Sequence, residues 1–376
     1  MLNFLFSIGI FECLFLATLL IFKKNRILAD YILATALLLI GINIFFSYLE
    51  SFNHDHDFAY SWMINISSPL VMLHGPLLFF YCLSLTKPQF HFKPLHVLHL
   101  LPYVILITYH YLAFYRHDAA YKVELARSES FASTFIYNFL LVFMIIVIFS
   151  YMISCITLIR RHEKRIMNIF STIDNVDLTW LKMVFFGAIL TYMITYTVII
   201  SNEFYHFTTF KTSEAIGYCL ATILILILGF YGIRQTQIFT SYNYTNSDGV
   251  EDVEISSPVN AQTENENVSR IRNVMMDNKP YLDADLTLKK LAELARMPET
   301  ELSYLLNKEF NKNFFDFVNT YRIEEFKSEL PKPENRNLTM LGIAMSCGFN
   351  SKATFNRVFK KYTQLTPKAY KEKTVK

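Results

Sequence analysis

Charged residues, glycine, proline and paired cysteines are all scarce in this chain of 376 residues. Charged residues make up 18% of it, whereas soluble domains usually carry about 25%. Hydrophobic residues make up 53%, which is too much for one ordinary soluble domain and also excludes a disordered chain. With only 10 Gly and 11 Pro, the composition is not that of a fibrous protein either.

Recognisable enzyme and metal-site motifs are also missing from the sequence. The five cysteines include no CxxC pair, so they indicate neither a disulfide framework nor a zinc site, and packing accounts for them. No Walker loop, kinase signature or HExxH motif occurs. Alternating His and Asp residues at 54–57 are weak evidence for a metal site and fit a polar loop better. We therefore expect no enzyme and no catalytic residue, metal or cofactor.

Seven long apolar runs occupy the chain up to about residue 234. Each is close to the roughly 20 residues that a helix needs to cross a membrane. The proline residues Pro69, Pro76 and Pro102 predict kinks in the third and fourth runs. The runs lie at roughly 2–22, 29–49, 64–86, 95–115, 132–159, 182–201 and 215–233.

Basic residues predict the orientation of these spans. Lys23, Lys24 and Arg26 follow the first run, which has no basic residue before it and no cleavage site after it. It therefore resembles a signal anchor with its N-terminus outside, and seven crossings then place the C-terminus in the cytoplasm. Eleven Lys or Arg residues lie in the inside segments under this topology and four in the outside ones, which agrees with the positive-inside rule.

Two polar segments connect these parts. Residues 235–269 contain six acidic and no basic residues, which predicts a disordered acidic linker between residues 1–234 and residues 270–376. Such a linker spans roughly 30–35 Å and leaves the following domain free to move. Between the fifth and sixth runs, Arg160 and Arg161 are expected at lipid headgroups, and Ile166, Ile169 and Phe170 on the membrane surface.

The last hundred residues predict two helix-turn-helix units separated by a long helix. In the first, Asp285 or Thr287 caps a helix at 288–295, residues 296–298 break it, and a second helix runs from 299 to about 310. A helix at about 314–330 follows. The predicted fold class is thus all-α, a seven-helix transmembrane bundle followed by a soluble helical domain.

The second unit repeats this design. An apolar face is predicted on its first helix, Gly348 suits a left-handed turn, and Ser351 caps a helix that reaches about residue 361. Phe355, Val358 and Phe359 are expected to face inward on that last helix. The apolar face of its first helix is predicted to consist of Leu338, Leu341, Ala344 and Met345.

A set of short motifs runs through the whole tail after the linker: Leu291-Ala292, Leu302-Ser303, Tyr321-Arg322-Ile323-Glu324-Glu325, Gly348-Phe349-Asn350-Ser351, Thr354 to Tyr362, Thr366-Pro367 and Tyr370. Through these residues the tail resembles the DNA-binding domain of AraC-type transcription regulators, which are double helix-turn-helix proteins. Some family positions differ here: Asn311 and Gln364 replace glycines, and Phe326 replaces a small residue.

The resemblance implies that two recognition helices enter successive major-groove segments of double-stranded DNA. It assigns base contacts in the second unit to Lys352, Ala353, Asn356 and Arg357. Lys360 and Lys361 are expected to contact phosphates. The matching positions of the first unit are Glu299, Thr300, Ser303 and Tyr304. None of these four is basic, so two roles stay open for the first helix: a supporting contact or a strong specifier of the DNA sequence.

Ionisable residues inside predicted spans are candidates for sensing a signal. We single out Glu12, His74 and His99, although packing between helices is the alternative role for each. The sequence thus predicts a multi-pass regulator in the inner membrane of a bacterium, coupling an external or membrane cue to transcription. Its expected partners are DNA and the lipid bilayer, with a signal ligand, a second copy and RNA polymerase as further candidates. The alternative is a membrane receptor or transporter whose helical tail binds a cytosolic protein.

Overall fold

The computed structural model describes residues 2–87, 90–127, 135–174, 176–205, 210–235 and 261–374. Within these ranges the regular elements are helices, with no β-strand, which confirms the predicted all-α class. The N-terminal helices are α1 (Leu2–Ile21), α2 (Leu28–Asp55), α3 (Val71–Thr86), α4 (Leu101–His110), α5 (Ala119–Arg127), α6 (Phe135–Met167), α7 (Thr179–Tyr205) and α8 (Phe210–Arg234). The C-terminal helices are α9 (Ala261–Asp277), α10 (Leu288–Ala295), α11 (Glu299–Lys308), α12 (Phe314–Glu329), α13 (Met340–Ser346), α14 (Lys352–Thr363) and α15 (Pro367–Thr374).

The chain forms two compact units, and their boundaries differ from the predicted ones. The first unit ends at Arg160 and resumes at Leu178. The second unit combines residues Arg161–Asp177 with the C-terminal helices. We call residues 161–177 the interhelix segment, because it runs from the end of α6 to the start of α7.

Seven helical stretches of the described chain are long and apolar enough to cross a membrane, the number that the sequence predicts. They pack closely where one helix presents a glycine. A Cβ atom added at Gly229 of α8 would overlap Leu16 of α1, and one added at Gly232 would overlap Leu33 of α2. Small residues let helix backbones approach each other in this way in membrane proteins.

The third apolar run is a broken helix near Pro69, one of the two prolines at which a kink was predicted. Short 3-10 turns at Ser61–Met63 and Ser68–Leu70 precede α3, whereas α3 continues past Pro76. Side chains of α2 satisfy the backbone freed by the break. Glu50 accepts hydrogen bonds from the Ser67 amide and hydroxyl, both at 2.7 Å, and Asn43 donates to the Ser67 carbonyl at 2.8 Å. Non-helical backbone at membrane depth needs such partners.

Helix α9 corrects the predicted extent of the acidic linker. Residues 236–260 lie outside the described residues, but residues 261–269, expected to be disordered, belong to α9. Ile271 and Met275 are fully buried, and Val268 packs against the same cluster. These residues recur every three or four positions and so form an apolar stripe on one face of the helix. Burial of this stripe against α10 and α11 stabilises the helix.

The linker helix α12 contributes to two separate hydrophobic clusters. Phe314, Phe317 and Val318 pack with α10 and α11. On another face, Phe315, Ile323 and Phe326 pack with α13 and α14. The ring of the bulky Phe326 packs against the ring of Phe355, and the two ring centres are 4.8 Å apart. Helix α12 therefore holds the two helix-turn-helix units as parts of one body.

Candidate nucleic-acid interface

Local signals fix the first helix-turn-helix unit. The Thr287 hydroxyl accepts a hydrogen bond from the Lys290 amide, so Thr287 rather than Asp285 caps α10. Helix α10 ends at Ala295, and Arg296 caps it in a left-handed conformation with φ of 52°. Pro298 then precedes α11. Both helices of this unit begin at the predicted residues.

The second unit is built in the same way. Thr339 caps α13 and Ser351 caps α14, while Gly348 between them has φ of 92°. The predicted apolar face is confirmed at Ala344, which is buried, but it is wrong at Leu338 and Met345, which are each 48% exposed, and Ile343 is buried instead of them. The reason is that α13 begins only at Met340, after its Thr339 cap, which rotates a different set of residues inward.

Helix α14 separates its apolar and polar residues cleanly. Phe355, Val358 and Phe359 are buried, as predicted. The four residues expected to contact bases are all exposed: Lys352, Ala353, Asn356 and Arg357. This helix thus presents two cations and an amide from its first two turns. Such groups are suited to base edges and phosphates.

The two lysines expected at phosphates differ in their surroundings. Both Lys360 and Lys361 are exposed. The Lys361 ammonium, however, lies 2.7 Å from a carboxylate oxygen of Asp316 on α12. Lys361 therefore helps to join α14 to α12, and any contact with a phosphate must compete with that ion pair.

The expected contact residues of α11 are less exposed than those of α14. Thr300 is exposed, whereas Glu299, Ser303 and Tyr304 are half-buried. Residues of α9 bind other residues of α11: Asn267 donates a hydrogen bond to Glu301 at 2.5 Å, and Glu264 forms an ion pair with Lys308 at 2.8 Å. The Lys308 ammonium also lies 5.2 Å from the centre of the Tyr304 ring. These contacts commit much of the α11 surface to the protein itself.

The sequence assigned no separate role to Arg322 of α12, which is fully buried. Its Nε donates to the Tyr281 carbonyl at 2.7 Å, and Nη2 donates to the Asp283 carbonyl at 2.8 Å. Burial lowers the pKa of the guanidinium to about 10, although Asp283 and Asp285 act in the opposite direction. It therefore remains charged at neutral pH. The family pattern includes this arginine, but only the structure shows its partners.

The interhelix segment does not have the surface position that we expected. Ile166 is fully buried in the cluster around α13 and α14, and Phe170 packs against the same cluster. The sequence signal was present, since Ile166, Phe170 and Ile173 recur at helical spacing. A membrane surface would cover this stripe as well as a protein core, so the pattern alone did not distinguish them.

The candidate sensing residues are spread over the first unit. Glu12 lies on α1 and His74 on α3, and Oε2 of Glu12 and Nε2 of His74 are buried without a hydrogen-bond partner among the described residues. His99 shares a hydrogen bond with the Tyr151 hydroxyl at 2.7 Å. Glu50 lies one residue beyond the second predicted span, which ends at residue 49. In the structure it belongs to α2 and is the carboxylate bound to Ser67.

Comparisons with known proteins bear on the C-terminal helices. Uncharacterized HTH-type transcriptional regulators of Staphylococcus aureus, strains COL and MSSA476, are 38% identical to this chain over 91 residues. That stretch is 24% of this chain and covers only 12% of each relative. No solved structure matches the chain. Residues 291–373 match a family model described as a helix-turn-helix domain, which confirms the predicted domain in the part of the chain that contains α10 to α14.

Proposed function

We propose that this protein is a membrane-bound transcription regulator that binds a specific double-stranded DNA sequence and couples an external or membrane cue to transcription. The observation that carries the proposal is α14, which exposes Lys352, Asn356 and Arg357 while its buried face packs on α12. Arginine can pair bidentately with guanine and asparagine with adenine. A rigid linker helix between two units is suited to DNA segments spaced by one turn, about 34 Å.

The two stretches of chain that form the second unit support a cytoplasmic location for the proposed DNA-binding domain. The interhelix segment and the C-terminal helices fold as one unit, so they must occupy the same compartment. Between them the chain contains two stretches that could cross a membrane, in α7 and α8, and two crossings return the chain to its original side. The bias of basic residues independently supports the cytoplasm as that side.

Signal reception is proposed for the first unit. Glu12 and His74 carry buried polar atoms that lack hydrogen-bond partners among the described residues, and such groups at membrane depth default to functional candidates. His99 and Glu50 instead have partners that hold helices together. A cue that engaged Glu12 or His74 would supply the hydrogen bonds that these two atoms lack within the described part of the chain.

DNA binding is testable with the full chain in lipid nanodiscs. The protein would first select its preferred sequence from a pool of random duplexes. Fluorescence anisotropy would then measure the affinity of the protein for that duplex at several salt concentrations. We expect affinity to fall steeply with salt, because phosphate contacts release counterions. Arg357→Ala should cost about 1–3 kcal/mol and relax base preference at one position. Lys332→Ala removes a charge from the loop after α12, beside Glu329, and serves as the control.

Two outcomes would contradict the proposal. Binding that is insensitive to salt would show that phosphate contacts do not contribute to it. Binding that is equal for all duplexes would show that α14 does not read bases. Absence of duplex binding would favour the alternative, a membrane protein whose helical tail binds another protein.

A further inference from the structure

We infer that the interhelix segment (residues 161–177) is a necessary part of the DNA-binding unit, so that DNA is bound only while this segment is docked on α12. This inference rests on the proposed function. The segment belongs to the C-terminal unit in space but to the junction of α6 and α7 in sequence. It would therefore link those two apolar helices directly to the DNA-reading helices.

Backbone pairing joins the segment to the first helix-turn-helix unit. Phe170 and Thr287 form an antiparallel bridge. The Ser171 amide donates to the Leu286 carbonyl at 3.2 Å, and the Leu288 amide donates to the Ile169 carbonyl at 2.9 Å. The segment thus fixes the chain immediately around Thr287, the cap of α10.

Ser171 accepts two of the hydrogen bonds made by the buried Arg322. Its carbonyl accepts from Nη1 of Arg322 and from Nδ2 of Asn319, both at 3.0 Å, and its hydroxyl accepts from Nη2 at 3.0 Å. Ser171, Asn319 and Arg322 are each fully buried. Without the segment, the guanidinium would keep its bonds to the Tyr281 and Asp283 carbonyls but lose those to Ser171. Leaving donors of a buried charged group without acceptors is unfavourable.

The same segment completes the core of the second unit. Ile166 and Ile173 are buried in the cluster that contains Phe326 and Phe355. Asp174 accepts a hydrogen bond from the hydroxyl of Thr354 in the first turn of α14. One short stretch therefore contacts both helix-turn-helix units and the helix that joins them.

Docking is compatible with DNA binding, because it leaves the reading surface open. Lys352, Ala353, Asn356 and Arg357 are all exposed while the segment is in place. The segment consequently supports the recognition helix without covering it. Because its ends continue into α6 and α7, a movement of these helices would change the docked fraction. The apparent affinity for DNA scales with that fraction.

The first test separates the segment from the C-terminal core with one charge. Ile173→Asp in the full chain places a carboxylate in the buried cluster, and Met276→Asp is the matched control, because Met276 is 65% exposed on α9. We expect Ile173→Asp to weaken binding to the selected duplex by about tenfold or more, as the docked fraction falls. Met276→Asp should bind like the wild type. Wild-type affinity in Ile173→Asp would overturn this inference alone, whereas a wild-type chain that binds no duplex would overturn the proposed function as well.

A second variant tests whether the docked segment supports DNA binding or inhibits it. Phe170 and Thr287 form the non-hydrogen-bonded type of antiparallel pair, whose Cα atoms lie about 4.5 Å apart and suit a disulfide. Phe170→Cys with Thr287→Cys, in a background of Cys219→Ser to remove an exposed thiol, should cross-link on mild oxidation. The oxidised protein should bind DNA at least as tightly as the same protein after reduction. Loss of binding on oxidation would overturn the inference, because it would mean that the segment must leave before DNA can bind.

Discussion

Single residues in unusual backbone conformations determine where the C-terminal helices end. Arg296, Asn311 and Gln364 all have positive φ angles, between 49° and 59°. Asn311 and Gln364 stand where the AraC pattern has glycines, and a left-handed backbone is less favourable for them than for glycine. Gly348 is different: with φ of 92° it adopts a conformation that side chains rarely tolerate.

Gly348→Ala should destabilise the C-terminal unit, whereas Gly342→Ala should not. A Cβ at Gly348 would overlap the Tyr281 carbonyl and lie 2.8 Å from Nε of Arg322, and the strained backbone adds about 1–3 kcal/mol. Gly342 lies inside α13, where the nearest atom to an added Cβ is Oγ1 of Thr339 at 3.4 Å. Pulse proteolysis of the full chain in increasing urea would compare the two variants. Equal stability of both would contradict the role assigned to this turn.

Whole helices were predictable wherever their signals are local. The caps Thr287 and Ser351 and the turn at Gly348 lie within a few residues of the helices that they delimit, so α10 and α14 begin where the sequence predicts. The alternation of apolar and polar residues also identified the buried face of α14. The contact residues themselves, such as Arg357, are known to be exposed but remain predictions as DNA contacts.

Elements held by distant partners were not predictable in the same way. The interhelix segment pairs with Leu286 and Arg322, more than a hundred residues away, and no local period reveals such a partner. Helix α9 was missed at its start because the polar residues around Glu264 resemble the acidic stretch before them. In the structure Glu264 pairs with Lys308 of α11, so it belongs to the folded domain.

Within α14, neighbouring lysines should contribute unequally to DNA binding. Lys360 is exposed, whereas Lys361 is bound to Asp316 at 2.7 Å. If Lys360 neutralises one phosphate, Lys360→Gln should reduce the slope of log affinity against log salt by about 0.9. Lys361→Gln should reduce it less, because that ammonium is already partly neutralised. Anisotropy titrations of both full-length variants at four salt concentrations would measure the slopes, and a larger change for Lys361→Gln would reverse this assignment.

For the molecule as a whole, the net charge of +3 conceals three regions of different character. Residues 1–234 carry 15 basic and 13 acidic groups, residues 270–376 carry 20 and 13, and the six acids between them are unopposed. The positive charge is thus concentrated in the part proposed to bind DNA. Because Glu264 and Glu266 belong to α9, only four of these six acidic residues precede the first C-terminal helix in the sequence.

The folding of two distant stretches into one unit makes a strict prediction about topology. Lys164 of the interhelix segment and Lys368 of α15 are both exposed and belong to the same unit, whereas Glu124 of α5 is exposed in a segment expected outside. In a Cys219→Ser background, a membrane-impermeant maleimide should label Glu124→Cys in intact spheroplasts. Lys164→Cys and Lys368→Cys should react only after permeabilisation, since basic segments remain in the cytoplasm. Labelling of both lysine variants from outside would reverse the proposed topology. Labelling of only one of them from outside would contradict a single unit built from both stretches, because a folded unit cannot occupy two sides of a membrane.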